Sequence, residues 1–340
     1  MRLISHRSKL ATQKSNVMDC ADSGPRAVKL AAEFDQNALQ ADLAQIDHDL
    51  FGDQQTLTDN GVIRGASIDW KCLPLRSQGG SVKRTDPGGP GIDDYAFTEI
   101  MTQGRYLRIV LERIPAPLRS VRLMALGPGA SVPKHRDTPT GFLVGMLRLH
   151  IPITTNPDAV LVIDGQEFHW QPGSLWFGDF SRPHEVWNAG SEKRVHCVID
   201  SLVTPQLLAW FPAGSLDWLS IEDVIFNRPA QPLSPGCVLS PGVRIPLPPS
   251  FLRLDNQVSD DDGEPDLHGI VRACDEGLVL AIDDLTNFGL THVGGGEFFL
   301  RGWFGERSIQ ARPGSVHFIT RVGRVRHVVS RPITPPSHFS

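Results

Sequence analysis

Between residues 119 and 202 the chain is a succession of short apolar runs cut by Pro, Gly, Asn and Asp: RSVRLMAL, FLVGMLRLHIPI, AVLVID, QEFHWQ, SLWFGDF, HEVWNAG and RVHCVIDSL. Runs of that length with turn residues between them read as strands, and so many in a row predict a sandwich, jelly roll or barrel. Upstream the period changes. RAVKLAAEFD (26–35) predicts a strand, QNALQADLAQI (36–46) a short amphipathic helix, and TQGRYLRIVLERI (102–114) a second helix, with Leu107, Val110, Leu111 and Ile114 at helical spacing. Residues 77–94, SQGGSVKRTDPGGPGIDD, form a long polar Gly/Pro loop. Downstream, SLDWLSIEDVIF (215–226) predicts a helix and RPAQPLSPGCVLSPG a Pro-rich linker, so that 206–244 bridges to a second β-rich segment over 245–340.

The fold expected is therefore mainly β, with flanking helices on a first domain over 25–205 and a smaller C-terminal β-rich domain. FHWQPGSLWFGDFSRPHEV (168–186) and IQARPGSVHFITRVGRVRHVV (309–329) echo each other through P-G-S, an apolar strand and a His-bearing strand. Two unrelated hairpins would look the same; the sharper expectation is a second, degenerate barrel of the first one's type. Gly294–Gly296 reads as a hairpin turn, because the Lys-Ser/Thr and helix of a phosphate loop do not follow.

Composition narrows the classes. At 340 residues with 40% hydrophobic content and a net charge of −5, the chain can fill two cores and offers no basic field for nucleic acid or an anionic membrane. Five scattered cysteines without a C-x-x-C suggest neither a zinc ribbon nor a disulfide framework, and a reducing cytoplasm is the expected location. Residues 1–24 read as a polar, disordered tail; MRLISHRSKLATQKSN is basic, but no apolar stretch of a secretory signal follows it. No run of 18 apolar residues occurs, so no membrane span is expected.

Candidate chemistry starts at SVPKHRDTPTG, where His135 and Asp137 stand two apart. Twelve histidines and 38 acidic residues among 340 produce about one such spacing by chance, so its surroundings must decide. Residues i and i+2 of a strand share a face and can grip one ion together. His184 in SRPHEVWN offers a third ligand. Two imidazoles and a carboxylate leave coordination positions open, as in non-haem Fe(II) oxygenases, although imidazole also suits zinc and copper. A half-buried, hydrogen-bonded His184 beside Trp187 would need no metal. Arg194, ten residues on, could pair bidentately with a dicarboxylic acid. Arg148 and His150 stand together on the apolar strand LRLHIPI, where a buried Arg needs a counter-charge from a ligand carboxylate or a structural Asp. Arg76 in LPLRSQGG is a further candidate for a carboxylate clamp. Trp176, Phe177, Phe180 and Trp187 could help form a dry cavity, but as ordinary barrel core they need no such role, and core is the better reading.

Taken together, VRLMALGPGASVPKHRD, LRLHIPI, GSLWFGDFSRPHEVWNAG and KRVHCVID resemble the aspartyl/asparaginyl β-hydroxylase family, which includes free-standing bacterial amino-acid hydroxylases of the proline hydroxylase kind. The resemblance covers about residues 66–205. It implies a double-stranded β-helix (jelly-roll, cupin-like) that holds Fe(II) and uses 2-oxoglutarate and O₂ as cosubstrates, releasing succinate and CO₂. By position it makes His135, Asp137 and His184 the iron ligands, Arg194 and His150 the 2-oxoglutarate contacts, and Arg148 a contact to the substrate carboxylate. Animal peptidyl members lack the ligand carboxylate; Asp137 places this chain with the three-ligand bacterial branch. Met124 departs from the pattern, standing where a cosubstrate-binding hydroxyl is expected. The implied substrate is an amino acid or an aspartyl/asparaginyl-type residue in a peptide or carrier-bound intermediate, with a second copy of the chain as a further candidate partner. The competing expectation is a cupin-like isomerase or ligand sensor that binds metal without oxygenase activity and has no need of Arg194.

Overall fold

The computed structural model describes residues 24–58, 61–64, 68–137, 140–233, 236–253, 263–275, 277–282, 286–303 and 305–334; the expected N-terminal tail lies outside them but for Gly24. The first unit runs β1 (Ala27–Glu33), α1 (Gln36–Gln45), β2 (Gly52–Asp53), β3 (Gln55–Thr58), β4 (Gly61–Arg64), β5 (Trp70–Gln78), β6 (Tyr95–Phe97) and α2 (Arg105–Arg113). Eight further strands follow: β7 (Leu118–Leu126), β8 (Ser131–His135), β9 (Met146–Thr154), β10 (Ala159–Ile163), β11 (Gln166–Phe168), β12 (Ser174–Gly178), β13 (His184–Asn188) and β14 (Arg194–Leu202). A short helix, α3 (Pro205–Leu208), ends the unit.

Those eight strands divide between two sheets, β7, β9, β12 and β14 in the larger and β8, β10, β11 and β13 in the smaller. The larger has the order β1-β12-β9-β14-β7-β5-β2, with β6 beside β5, and the smaller is β11-β10-β13-β8. Except at the β10–β11 hairpin, the chain passes from one sheet to the other at each step and its strands pair antiparallel with non-sequential neighbours, which is a double-stranded β-helix.

The polar–apolar alternation says which side faces what. In β7, β9 and β14 the odd positions, such as Leu123, Leu149 and Ile199, are buried in one core with Leu39 and Leu43 of α1 and Leu107, Val110 and Leu111 of α2. The even positions point between the two sheets. The helices are set by their ends: Asp35 accepts from the amides of Asn37 and Ala38 at 2.8 and 3.1 Å, and Asp42 of α1 accepts from the Leu107 amide at 2.7 Å, satisfying the open N-terminus of α2.

Two local expectations change. Phe142–Gly145 is a turn and β9 begins only at Met146, because Gly145 takes φ +88°, where a Cβ would meet Ile225 at 2.9 Å. SLDWLSIEDVIF does not form an α-helix; only Ile221–Asp223 makes a single 3₁₀ turn. Its local bonds close only single turns, such as Leu219 N–H to the Leu216 carbonyl at 2.9 Å, and its end bonds across the chain, Ile225 N–H to the Phe142 carbonyl at 2.9 Å and, one residue beyond it, Asn227 N–H to the Val203 carbonyl at 2.8 Å. Leu216, Trp218, Leu219 and Phe226 pack on the first core from this strap of turns.

The second unit comprises β15 (Arg244–Leu247), β16 (Leu267–Cys274), β17 (Gly277–Ile282), β18 (Thr286–His292), β19 (Glu297–Leu300), β20 (Arg307–Arg312), β21 (Ser315–Val322) and β22 (Val325–Pro332), paired strictly in chain order. Arg244 and Thr334 exchange backbone bonds at 3.0 and 3.1 Å, joining the first strand to the end of the last. This is an up-and-down barrel, so the sequence echo is two hairpin-like turns and not a second β-helix: Pro172–Gly173 carries the chain between sheets, whereas Pro313–Gly314 joins neighbours in one. Phe251, Phe288, Phe298 and Phe318 lie in its packed core.

Candidate active site

His135 closes β8 and His184 opens β13, and the two are directly opposed across the antiparallel pair. Their rings stand 4.2 Å apart between centroids. Each ring has its Nδ1 beside a backbone carbonyl, His135 with Pro133 at 2.8 Å and His184 with Arg182 at 3.0 Å. Donation from Nδ1 leaves the Nε2 lone pairs available, and both point at one carboxylate: Asp137 Oδ1 lies 3.6 Å from His135 Nε2 and 3.9 Å from His184 Nε2. Asp137 is past the end of β8, held by its amide's bond to the Phe180 carbonyl at 3.0 Å. The three ligand atoms lie within 4.8 Å of one another, a spacing that one metal ion could span.

Charge around the cluster favours a metal. Burial opposes ionisation of Asp137, but the Arg148 guanidinium, bonded to Oδ2, and the imidazoles outweigh it and hold the carboxyl below its ordinary range. Burial likewise pushes His184 down, against the pull of Asp137, and keeps it neutral. For His135 burial is outweighed by the bond to Asp137 and its charge, so its pKa rises above 6.5. Protons therefore compete for this ligand, and metal affinity is expected to weaken as pH falls through that raised value. Isothermal titration with Mn(II) across this range checks it; an affinity independent of pH there would refute it.

A cavity of about 420 Å³ opens over the cluster. Its sheet wall is built from even positions, Arg122 and Met124 of β7, Arg148 and His150 of β9, and Arg194 and Val198 of β14. Arg194 is 8% exposed and donates to His196 Nδ1 at 3.1 Å; among the described residues no carboxylate pairs with it. Burial alone lowers its pKa to about 10, so the cavity holds a guanidinium in need of an anion. His150, stacked on Phe180 at 4.7 Å, and His196 are forced neutral by burial, and their Nε2 atoms have no hydrogen-bond partner among the described residues. His184 and Arg194 belong to different sheets that face each other, a relation the intervening turn alone does not reveal.

Two expected substrate contacts are placed differently. Arg148 gives Nε and Nη2 to Asp200 at 2.7 and 3.0 Å and Nη1 to Asp137, so a structural carboxylate already answers its charge. Asp200 also takes the Ser120 hydroxyl at 2.7 Å and lies 3.6 Å from Arg122. Arg76 does not line the cavity; it donates to the carbonyls of Leu118 and Tyr95 at 3.1 and 2.6 Å and its guanidinium lies 5.0 Å from the Phe97 ring centre. Of the four aromatic candidates only Phe180 lines the cavity, and Met124 lines it where a hydroxyl was expected. Sequence reasoning missed Arg122, His196 and Asp200. A lone acid in CVIDSL, at the parity of Arg194, was a usable signal for the last.

The family model described as Aspartyl/Asparaginyl beta-hydroxylase matches residues 33–203, half of the chain. The chain belongs to that family. It is accordingly an oxidoreductase of the dioxygenase type, a 2-oxoglutarate–Fe(II) hydroxylase by family, and the matched segment runs through the last strand of the double-stranded β-helix and includes the His-Asp-His cluster. No curated protein matches the chain. Among solved structures, a prolyl-4-hydroxylase from Pseudomonas putida shares 16% identity over 56% of this chain and 98% of its own, with a TM-score of 0.32. A prolyl hydroxylase from Trichoplax adhaerens, in complex with a hypoxia inducible factor oxygen degradation domain peptide fragment, shares 11% over 60% and 95%, with a TM-score of 0.35. A 2OG-Fe(II) oxygenase family oxidoreductase from Burkholderia pseudomallei shares 13% over 49% and 76%, with a TM-score of 0.30. Among the described residues of this family member, no helix is long and apolar enough to cross a membrane.

Proposed function

We propose that this family member hydroxylates an amino acid, free or within a peptide or carrier-bound intermediate, with Fe(II) on His135, Asp137 and His184. The donor set fits the ion: two imidazoles oriented by backbone carbonyls and one carboxylate held ionised, with the cavity on the open side. When bound, Fe(II), 2-oxoglutarate and O₂ supply the oxidising power, with succinate and CO₂ as co-products. The protein's own residues do the rest. Arg194 is the residue suited to the distal carboxylate of 2-oxoglutarate, and its buried guanidinium, without a carboxylate partner among the described residues, is the observation that carries this reading against a cupin-like isomerase or sensor. His150 lines the same cavity with a neutral ring whose Nε2 has no hydrogen-bond partner among the described residues. Arg148 orients Asp137 and keeps it charged, while Met124, Phe180 and Val198 limit water.

Mass spectrometry should show a +16 Da product together with succinate when Fe(II), 2-oxoglutarate and candidate amino acids or peptides are supplied. Arg194→Ala should raise the 2-oxoglutarate KM about tenfold to a hundredfold. An unchanged KM in that variant, with succinate still released, would remove Arg194 from the site; absence of succinate from every mixture would remove the oxygenase.

A further inference from the structure

The cavity is not a property of the β-helix alone. Residues 86–90 of the long polar loop form one wall, and Gly302, Trp303 and Glu306, from the turn between β19 and β20 of the second barrel, form another. The two walls are fastened together. Gly91 N–H donates to the Arg301 carbonyl and Gly289 N–H to the Gly91 carbonyl, both at 2.9 Å, and Arg119 Nη2 donates to the Trp303 carbonyl at 2.6 Å. Gly302 sits at φ +84°, and a Cβ there would stand 2.2 Å from the Gly89 carbonyl oxygen, so the barrel turn meets the loop backbone to backbone.

Glu306 is buried on this wall, at 7% exposure. Its Oε1 accepts the Trp303 indole N–H at 3.0 Å, and Arg307 Nε lies 3.6 Å from the same oxygen. Among the described residues Oε2 has no partner. The other charged and titratable groups of these walls are committed. Asp86 takes Arg84 and the Gly88 amide, the Tyr95 hydroxyl donates to the Pro87 carbonyl, and Arg119 is engaged by Asp94 and the Trp303 carbonyl. Burial raises the Glu306 pKa to about 7, which Arg307 and the indole bond only partly offset. A buried carboxyl with one uncommitted oxygen becomes a favourable anion when a cation enters beside it. The sheet wall, by contrast, carries Arg194, with which no carboxylate among the described residues pairs, beside Arg122 and Arg148, which share Asp200. The cavity thus has a cationic side suited to carboxylates and, supplied by the other barrel, an anionic position suited to an amine.

We infer that Glu306 binds the protonated amine of the substrate, so that the C-terminal barrel sets substrate choice for an active site housed in the β-helix. This rests on the proposed function. The test compares the wild type with Glu306→Gln, which keeps the acceptor for Trp303 and the side-chain volume. Binding is measured by calorimetry for a panel of free L-amino acids and dipeptides, each paired with the form acetylated at its amine. The wild type should favour the amine over its acetylated partner about tenfold to a hundredfold. Its affinity should rise as pH climbs through about 7, because the ionised carboxylate is the binding form. In Glu306→Gln both the preference and the pH dependence should vanish. A purely structural bond to Trp303 would move neither. If no amine-bearing ligand binds the wild type, or the glutamine variant keeps the preference, the assignment falls. Succinate release by the wild type reports separately on the proposed function: formed succinate with an unmoved preference leaves the oxygenase standing and Glu306 without this role.

Discussion

Alanine at His135 or His184 is expected to cut hydroxylation about a thousandfold or more and to empty the metal site. In the proposed site each imidazole would supply one of three donors, and among the described residues only His135, Asp137 and His184 form such a group, so the lost position would have no ready replacement. The remaining imidazole and Asp137 would form a two-point site, with Asp137 drawn further towards Arg148. Metal content by mass spectrometry and succinate release, measured on folded variants, check this. Full metal occupancy with wild-type turnover in either variant would show that the ion, if bound, sits elsewhere.

Asp200→Ala is expected to cost about 3–5 kcal/mol of stability, because it removes one partner of a buried ion pair and strands the other. Asp200 is 1% exposed and is the bidentate acceptor for Arg148, with Arg122 at 3.6 Å and the Ser120 hydroxyl at 2.7 Å. Without it Arg148 would be left with Asp137 as its remaining carboxylate, and Asp137 would be less available as a ligand. Urea denaturation should therefore show a lowered midpoint, and metal titration a weakened affinity, in the same variant. The pH dependence has a fixed sign. Burial opposes the charge of Asp200, but Arg148 outweighs it and lowers the folded-state pKa below 3.8. Its contribution is present above 3.8 and is lost as pH falls through the lowered value, so the variant should lose part of the wild type's acid-side decline. An unchanged midpoint would mean that the two arginines find water or other acceptors at no cost.

How much of this was legible beforehand differs from element to element. RVHCVIDSL reads as a strand and is one, β14, over the same nine residues, because it pairs with a neighbour on each edge, β7 and β9, and all nine residues are buried. SLDWLSIEDVIF reads as a helix and is a strap, because Leu216, Trp218, Leu219 and Phe226 pack on an existing core and Ile225 and Asn227 find backbone partners on other segments. Local periodicity describes a segment's own preference; competition from distant carbonyls is outside it. The same distinction separates Arg194 from Arg76. Both are arginines near apolar strands, but one opens β14 on the cavity side and the other spends its donors on two backbone carbonyls.

The sequence by itself determined the alternation that buries odd positions under two helices and turns even positions inward, together with the residue types offered there: two imidazoles, a carboxylate and several guanidiniums. Only the tertiary structure decided which of them meet. His135 and His184 become neighbours because β8 and β13 pair in one register, and Arg148 turns from Asp137's companion into a shared cation because Asp200 lies opposite it on β14. The C-terminal barrel reaches the cavity through a backbone contact at Gly302 that leaves no trace in local pattern. Pairing and contact between distant segments are set by the free energy of the whole chain, to which no single stretch has access.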